Sequence, residues 1–214
     1  MRPQFLVATR SAGKLRELQQ IFSEFGLEVV DPASLGIPES PAEDSLESFD
    51  TFEENALAKA RYFHDRSGRR ATFADDSGIC VDVLGGEPGV LSKRWSGQTD
   101  LGAAQIDAAN NAKLLARMKE AREADPVSFT DSARYVSVAA FKDADGETLR
   151  RGEIEGRVLA TPRGTGGFGY DPYFEAPDLG GTFAEAPIQK TAGASHRSRA
   201  FRSLLSALRA EGRI

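Results

Sequence analysis

The sequence predicts an α/β fold built on a mixed sheet, and two observations carry that prediction. Strand-like apolar runs alternate with helical stripes, which places helices in the crossovers between parallel strands. Asp145-Gly146 separates two longer strand-like runs, a signal for an antiparallel hairpin in the same sheet.

Residues 5–8 read as a short buried strand, followed by Leu15, Leu18, Phe22 and Phe25, whose spacing of 3, 4 and 3 draws one helical stripe. Residues 27–30 read as a second strand. The stretch 31–50 carries Pro32, Pro38 and Pro41 among many acids and reads as a surface loop or lobe connection. Thr51 and Glu54 form a capping box ahead of a second helix with Phe52, Ala56, Ala60 and Phe63 on one face. Residues 71–74 and 79–83 are strand-like, interrupted by Asp75-Asp76-Ser77-Gly78. A polar helix is expected over 101–119, strands over 135–141 and 148–158, and a glycine-rich loop over 164–169. Phe201, Leu204, Leu205 and Leu208 mark the core face of a last helix.

The 214 residues fit one domain, or one domain with two lobes, and 1–214 is read as a single domain. At 40% hydrophobic residues the chain has enough apolar material for a sizeable core. A net charge of −5 lacks the broad basic footprint of a duplex-binding domain, so no nucleic-acid partner is expected. Cys80 is the single cysteine and makes no internal disulfide. The apolar run near residue 1 is far shorter than a secretory core, and no run spans a bilayer, so the expectation is a soluble, cytoplasmic protein without a membrane partner.

Thr9-Arg10-Ser11-Ala12-Gly13-Lys14 lies between the first strand and the first helix. Small residues allow close backbone approach, a helix N-terminus offers free N–H groups, and Lys14 adds a cation. The segment is either a phosphate cradle or a tight turn with a solvated lysine. Asp75-Asp76 supplies the one or two carboxylates that a Mg²⁺ site wants beside substrate phosphate, or else an ordinary acidic turn. The acids of the 31–50 loop, Glu47 among them, have no spacing that singles one out. Gly164 to Pro172 places glycines around Phe168 and Tyr170. It is a platform for a planar ligand or a hairpin with two core aromatics. Ser195-His196-Arg197 opens the last helix, where Arg197 meets an anion or a base carbonyl and His196 alone reads as a cap or surface residue. His64 and His196 are too far apart in sequence for a zinc pattern, and Cys80 reads as core.

In order and spacing these segments resemble the inosine triphosphate pyrophosphatase family, which acts on non-standard purine nucleoside triphosphates. The matching residues are Ala8-Thr9, Gly13-Lys14, Glu17-Leu18, Thr51-Phe52, Glu54-Asn55-Ala56, Ala74-Asp75-Asp76-Ser77-Gly78, Val81-Asp82, Leu84-Gly85-Gly86, Pro88-Gly89, Ser96-Gly97, Gly166 through Pro172 and Ser195-His196-Arg197. They run from the first strand to the last helix. Two positions depart from the family pattern: Ser11 stands where Asn is usual, and Lys190 lies one residue earlier than the family's lysine, with Thr191 in its place.

The resemblance implies an elongated mixed β-sheet with flanking helices, two lobes around a central cleft, and a homodimer. It implies Mg²⁺-dependent hydrolysis of ITP, dITP and XTP to the monophosphate and pyrophosphate. Asp76 would bind the metal and accept the proton of the attacking water, with Glu47 as a second metal ligand. Thr9 to Lys14, Lys59 and Ser77 would meet the phosphates, with the lysines neutralising charge on the leaving group. Phe168, Gly169, Tyr170, Asp171, Lys190, His196 and Arg197 would form the rest of the substrate site. Arg197, Lys190 or backbone N–H groups near Phe168 would pair with a 6-carbonyl, and Phe168, Tyr170 and Trp95 are the candidates for stacking. Two other readings remain: a related pyrophosphatase for other modified nucleotides, and an inactive nucleotide-binding regulator.

Overall fold

A computed structural model describes residues 4–214 (side chains of 188, 189 and 192 excepted). In chain order the elements are β1 (Gln4–Val7), α1 (Ala12–Glu24), β2 (Glu28–Val30), a 3-10 helix (Pro41–Glu47), α2 (Phe52–Arg66), β3 (Thr72–Val81), α3 (Ala103–Ala124), β4 (Ser132–Lys142), β5 (Glu147–Val158), β6 (Phe174–Ala176), β7 (Gly181–Thr182), α4 (Ile188–Ala194) and α5 (His196–Ala210). The strands form one seven-stranded sheet in the order β2-β1-β3-β4-β5-β6-β7. β1 runs parallel to β2 and β3, whereas β6 is antiparallel to β5 and β7, so the sheet is mixed as the sequence predicts.

Two compact units divide the chain: Met1–Asp76 with Ser137–Gly152 and Ser195–Ile214, and Ser77–Val136 with Glu153–Ala194. Three of the four boundaries fall inside β3, β4 and β5, and the last lies between α4 and α5. Each unit has its own core. In the first, the stripe Leu18, Ile21 and Phe22 of α1 meets Phe201, Leu204, Leu205 and Leu208 of α5 around Phe73 and Phe141. The Phe22 and Phe73 rings meet edge to face with centroids 4.8 Å apart, a favoured aromatic geometry. In the second, Leu114 and Met118 of α3 pack with Ile79, Trp95, Tyr135, Ile154, Tyr170, Phe174 and Phe183.

One expectation needs correction. The sequence breaks the strand at 75–78, but β3 runs unbroken from Thr72 to Val81, and Asp75 and Asp76 are buried within it. Their charges are matched by cations from neighbouring elements, described below, so no exposed turn is needed. Gly78 serves close approach rather than a turn. A Cβ there would lie 2.2 Å from Gly89 O and 2.4 Å from Ser92 Oγ. The sequence also leaves α4, β6 and β7 unpredicted; each is seven residues or shorter, below the length at which periodicity speaks.

Candidate active site

The first unit gathers buried charge at the carboxyl ends of its parallel strands. Register explains why. Leu6 and Val7 of β1 pair with Thr72 and Phe73, and Ala8 N–H donates to Phe73 O, so the turn after β1 arrives beside Asp75. Such strand ends are where open α/β sheets bind ligands. Ser11 caps α1, accepting from Lys14 N–H, and Thr9 Oγ1 accepts from Ser11 N–H. The serine that replaces the family's asparagine is thus a helix cap.

From the first turn of α1, Lys14 Nζ donates to Asp75 Oδ2 at 3.1 Å. The same oxygen accepts from Arg197 Nε at 3.1 Å. Arg197 Nη1 donates to Glu17 Oε2, and Ser195, which caps α5, donates its hydroxyl to Glu17 Oε1 at 2.6 Å. Around Asp76 a second set forms from α2. Lys59 Nζ donates to Asp76 Oδ1 (3.1 Å) and to Glu47 Oε1 (2.9 Å), while Asn55 Nδ2 donates to Asp76 Oδ2 (2.9 Å). Asn55 Oδ1 in turn accepts from Phe49 N–H.

These contacts set the protonation preferences. Burial opposes the Asp75 charge, yet Lys14, Arg197 and Lys59 outweigh it and hold the carboxyl well below the usual range. Burial pushes the Asp76 carboxyl up, and the nearby lysines do not fully reverse it. Burial also works against Lys59, but Asp76, Glu47 and Asp75 leave its pKa raised. Lys14 goes the other way: burial, with Lys59 and Arg197 close by, lowers its pKa despite Asp75. His196 is buried, and burial with the adjacent Arg197 holds its imidazole well below its ordinary value, neutral at pH 7.

Not every expected residue stands here. Arg10 departs from the role of a phosphate ligand: Nε and Nη2 grip the Glu43 carboxylate, Nη1 and Nη2 donate to the carbonyls of Ile37 and Pro38, and the guanidinium lies over Phe63. It pins the segment that leads into the 3-10 helix bearing Glu47. Arg197 also differs from the expected base donor, since Nε and Nη1 serve Asp75 and Glu17. Ala12 and Gly13 form the first turn of α1, and Ser77 follows Asp76 on β3, half-buried.

In the second unit, Tyr170 and Trp95 are core residues, with the Tyr170 hydroxyl donating to Ser92 O at 2.8 Å. Burial therefore removes them as stacking surfaces, whereas Phe168 is 48% exposed. Asp171 accepts from Phe168 N–H and from the Tyr135 hydroxyl. Lys190 Nζ donates to Leu179 O, at the end of a short turn. Glu17 and Asn55 were quoted in the motifs without a role. Spacing was the available signal: Lys14 with Glu17, and Asn55 with Lys59, share helix faces at three and four residues.

Among the described residues no group of three or more His, Cys, Asp or Glu is placed to hold a metal. Glu47 and Asp76 converge on one ammonium, a pair of hard oxygen donors. That donor set suits Mg²⁺, which takes one or two carboxylates and completes its shell with water and substrate phosphate.

Comparison with known proteins agrees in extent with this architecture. The Ham1 family model matches residues 5–207. A dITP/XTP pyrophosphatase of Halorhodospira halophila is 44% identical over 207 residues, covering 96% of this chain and 97% of the relative. One from Nocardia farcinica is 46% identical over 213 residues, covering 96% and 94%. The solved structure of a HAM1 protein from Coxiella burnetii superposes with a TM-score of 0.79 at 29% identity, covering 97% of this chain and 98% of that one.

Proposed function

The chain belongs to the Ham1 family, and on that premise we propose that it hydrolyses non-standard purine nucleoside triphosphates (ITP, dITP and XTP) to the monophosphate and pyrophosphate. The observation that carries this reading is the cluster of Lys14, Lys59 and Arg197 against Asp75, Asp76 and Glu47, buried except for Lys14 and Glu47, which are partly exposed. Lys14 is a cation whose burial and cationic neighbours disfavour its charge, and an incoming polyphosphate relieves that.

In the proposed reaction the oxygen of a water attacks the α-phosphorus, and the bond to the pyrophosphate oxygen breaks in line. Asp76 accepts the water's proton; its raised pKa makes it a better acceptor than an exposed carboxylate. Lys14 and Lys59 neutralise charge that accumulates on the leaving pyrophosphate. Glu17 holds Arg197, Arg197 holds Asp75, and Asp75 aims Lys14. Asp76 and Glu47 would hold Mg²⁺, which would supply positive charge to offset that of the substrate phosphates. Within the first unit the proposal gives substrate contacts to Thr9, Ser11, Ala12, Gly13 and His196; within the second it gives them to Ser77, Gly169, Asp171 and Lys190, with the Phe168 ring offered to the base. A cytoplasmic setting and a homodimer belong to the same proposal. Among the described residues no helix is long and apolar enough to cross a membrane.

The test is a panel of purine and pyrimidine triphosphates with Mg²⁺, followed by ³¹P NMR. The expected products are the monophosphate and pyrophosphate in one step, fastest with ITP, dITP or XTP. Stepwise orthophosphate release overturns attack at the α-phosphorus. Preference for a pyrimidine favours the related pyrophosphatase, and binding without turnover favours the regulator.

A further inference from the structure

The second unit carries a backbone clamp that nothing above uses. Both peptide groups of Gly169 are held by α3. Its N–H donates to Asp107 Oδ2 at 3.0 Å, and its carbonyl accepts from Asn111 Nδ2 at 3.0 Å. Asp107 and Asn111 are four residues apart, so they sit one above the other on one helix face. Gly169 has φ +61°, the left-handed region that a side chain disfavours. One residue earlier, Phe168 N–H donates to Asp171 Oδ2 at 2.8 Å and its carbonyl accepts from Asp171 N–H at 3.2 Å.

Two consequences follow. The N–H groups of Phe168 and Gly169 already have partners inside the protein, so the loop does not read a base carbonyl through them, contrary to the expectation from sequence. What the loop presents is the Phe168 ring. An exposed ring on a chain with Gly164, Gly166, Gly167 and Gly169 as neighbours samples many orientations unless its backbone is fixed. Fixing it before the ligand arrives removes that ordering penalty from binding.

We propose that Asp107 and Asn111 are positioning residues that preset Phe168 as the stacking surface for the purine base. This rests on the purine-triphosphate reading above. The test uses Asp107→Ala, Asp107→Asn (which keeps an acceptor oxygen) and Asn111→Asp (which keeps shape but loses the donor). Base–aromatic stacking is strong enough that Asp107→Ala and Asn111→Asp should raise KM for dITP about tenfold with kcat nearly unchanged. The inhibition constant of pyrophosphate, which has no base, should stay constant, and Asp107→Asn should restore most of the KM. On a Phe168→Ala background Asp107→Ala should add nothing further. An equal penalty on that background, a loss confined to kcat, or an unchanged KM overturns the proposal. If the wild-type protein turns over no purine triphosphate, the activity reading falls. The clamp is then judged by amide exchange at Gly169: faster exchange in Asp107→Ala supports it, and unchanged exchange overturns it.

Discussion

Replacing Asp75 by Asn tests whether the cation cluster depends on one carboxylate. Asp75 is 3% exposed, and its Oδ2 receives both Lys14 Nζ and Arg197 Nε at 3.1 Å. At an effective permittivity of about 20, each pair at that distance attracts by about 5 kcal/mol before desolvation. Removing the charge leaves Lys14 without the Asp75 carboxylate and Arg197 with that of Glu17, and breaking a buried pair in this way costs about 3–5 kcal/mol net. For a chain of this size that corresponds to a fall in Tm of roughly 6–20 °C. The amide keeps the shape, so packing does not supply the loss. Calorimetry at pH 7, with and without pyrophosphate, reads the effect. Pyrophosphate returns negative charge to Lys14 and Arg197, so it should raise the Tm of Asp75→Asn by more than it raises that of the wild type. A Tm within about 2 °C of the wild type, or an equal pyrophosphate shift in both, would refute the reasoning.

Asp76→Asn should remain folded by circular dichroism and lose more than about a hundredfold in kcat with dITP, because one residue serves as both proton acceptor and metal ligand; near-normal turnover removes it from the chemistry. Arg197→Lys, which cannot reproduce the grip on Glu17 and Asp75, should lower kcat/KM for dITP and dATP by the same factor, about tenfold or more. A narrowed ratio between the two substrates would return Arg197 to base recognition. Because the Lys14 pKa is lowered, its charge is present below that pKa and lost above it, at a lower pH than for an ordinary lysine. The kcat/KM profile for dITP should therefore fall earlier on the alkaline side, and Lys14→Arg should move that limb upward; superimposable profiles would exclude Lys14 as its source.

The periodic elements were legible because their apolar faces are regular: the stripes of α1, α2 and α5 and the hairpin turn at Asp145-Gly146 stand where sequence spacing puts them. The stretch 75–78 was misread because local rules assign Asp and Gly to turns, whereas distant cations make those carboxylates tolerable inside a strand. For the candidate site, the family resemblance named Lys14, Asp76 and Lys59, which the fold places in ion pairs, but it did not give their partners, since Arg197 is 122 residues from Asp75. Arg10 and Tyr170 show the reverse limit. Their neighbourhood in sequence suggests ligand contact, while Glu43 and Ser92 O, brought in by the fold, take their polar groups.

The same sequence separations govern how the protein comes into being. Arg197 is made 180 residues after Glu17 and 122 after Asp75. At synthesis rates of roughly 5–20 residues per second, Asp75 waits on the ribosome for about 6–24 s before its guanidinium exists. The first unit draws on three separate stretches of chain, the last beginning at Ser195, so its core closes late and through non-local contacts. A nascent chain interrupted before residue 197 therefore carries the acids and lysines of the centre without the group that orders them. In that state a partly made copy is an unfinished fold, exposed to proteolysis, and not a weakened hydrolase.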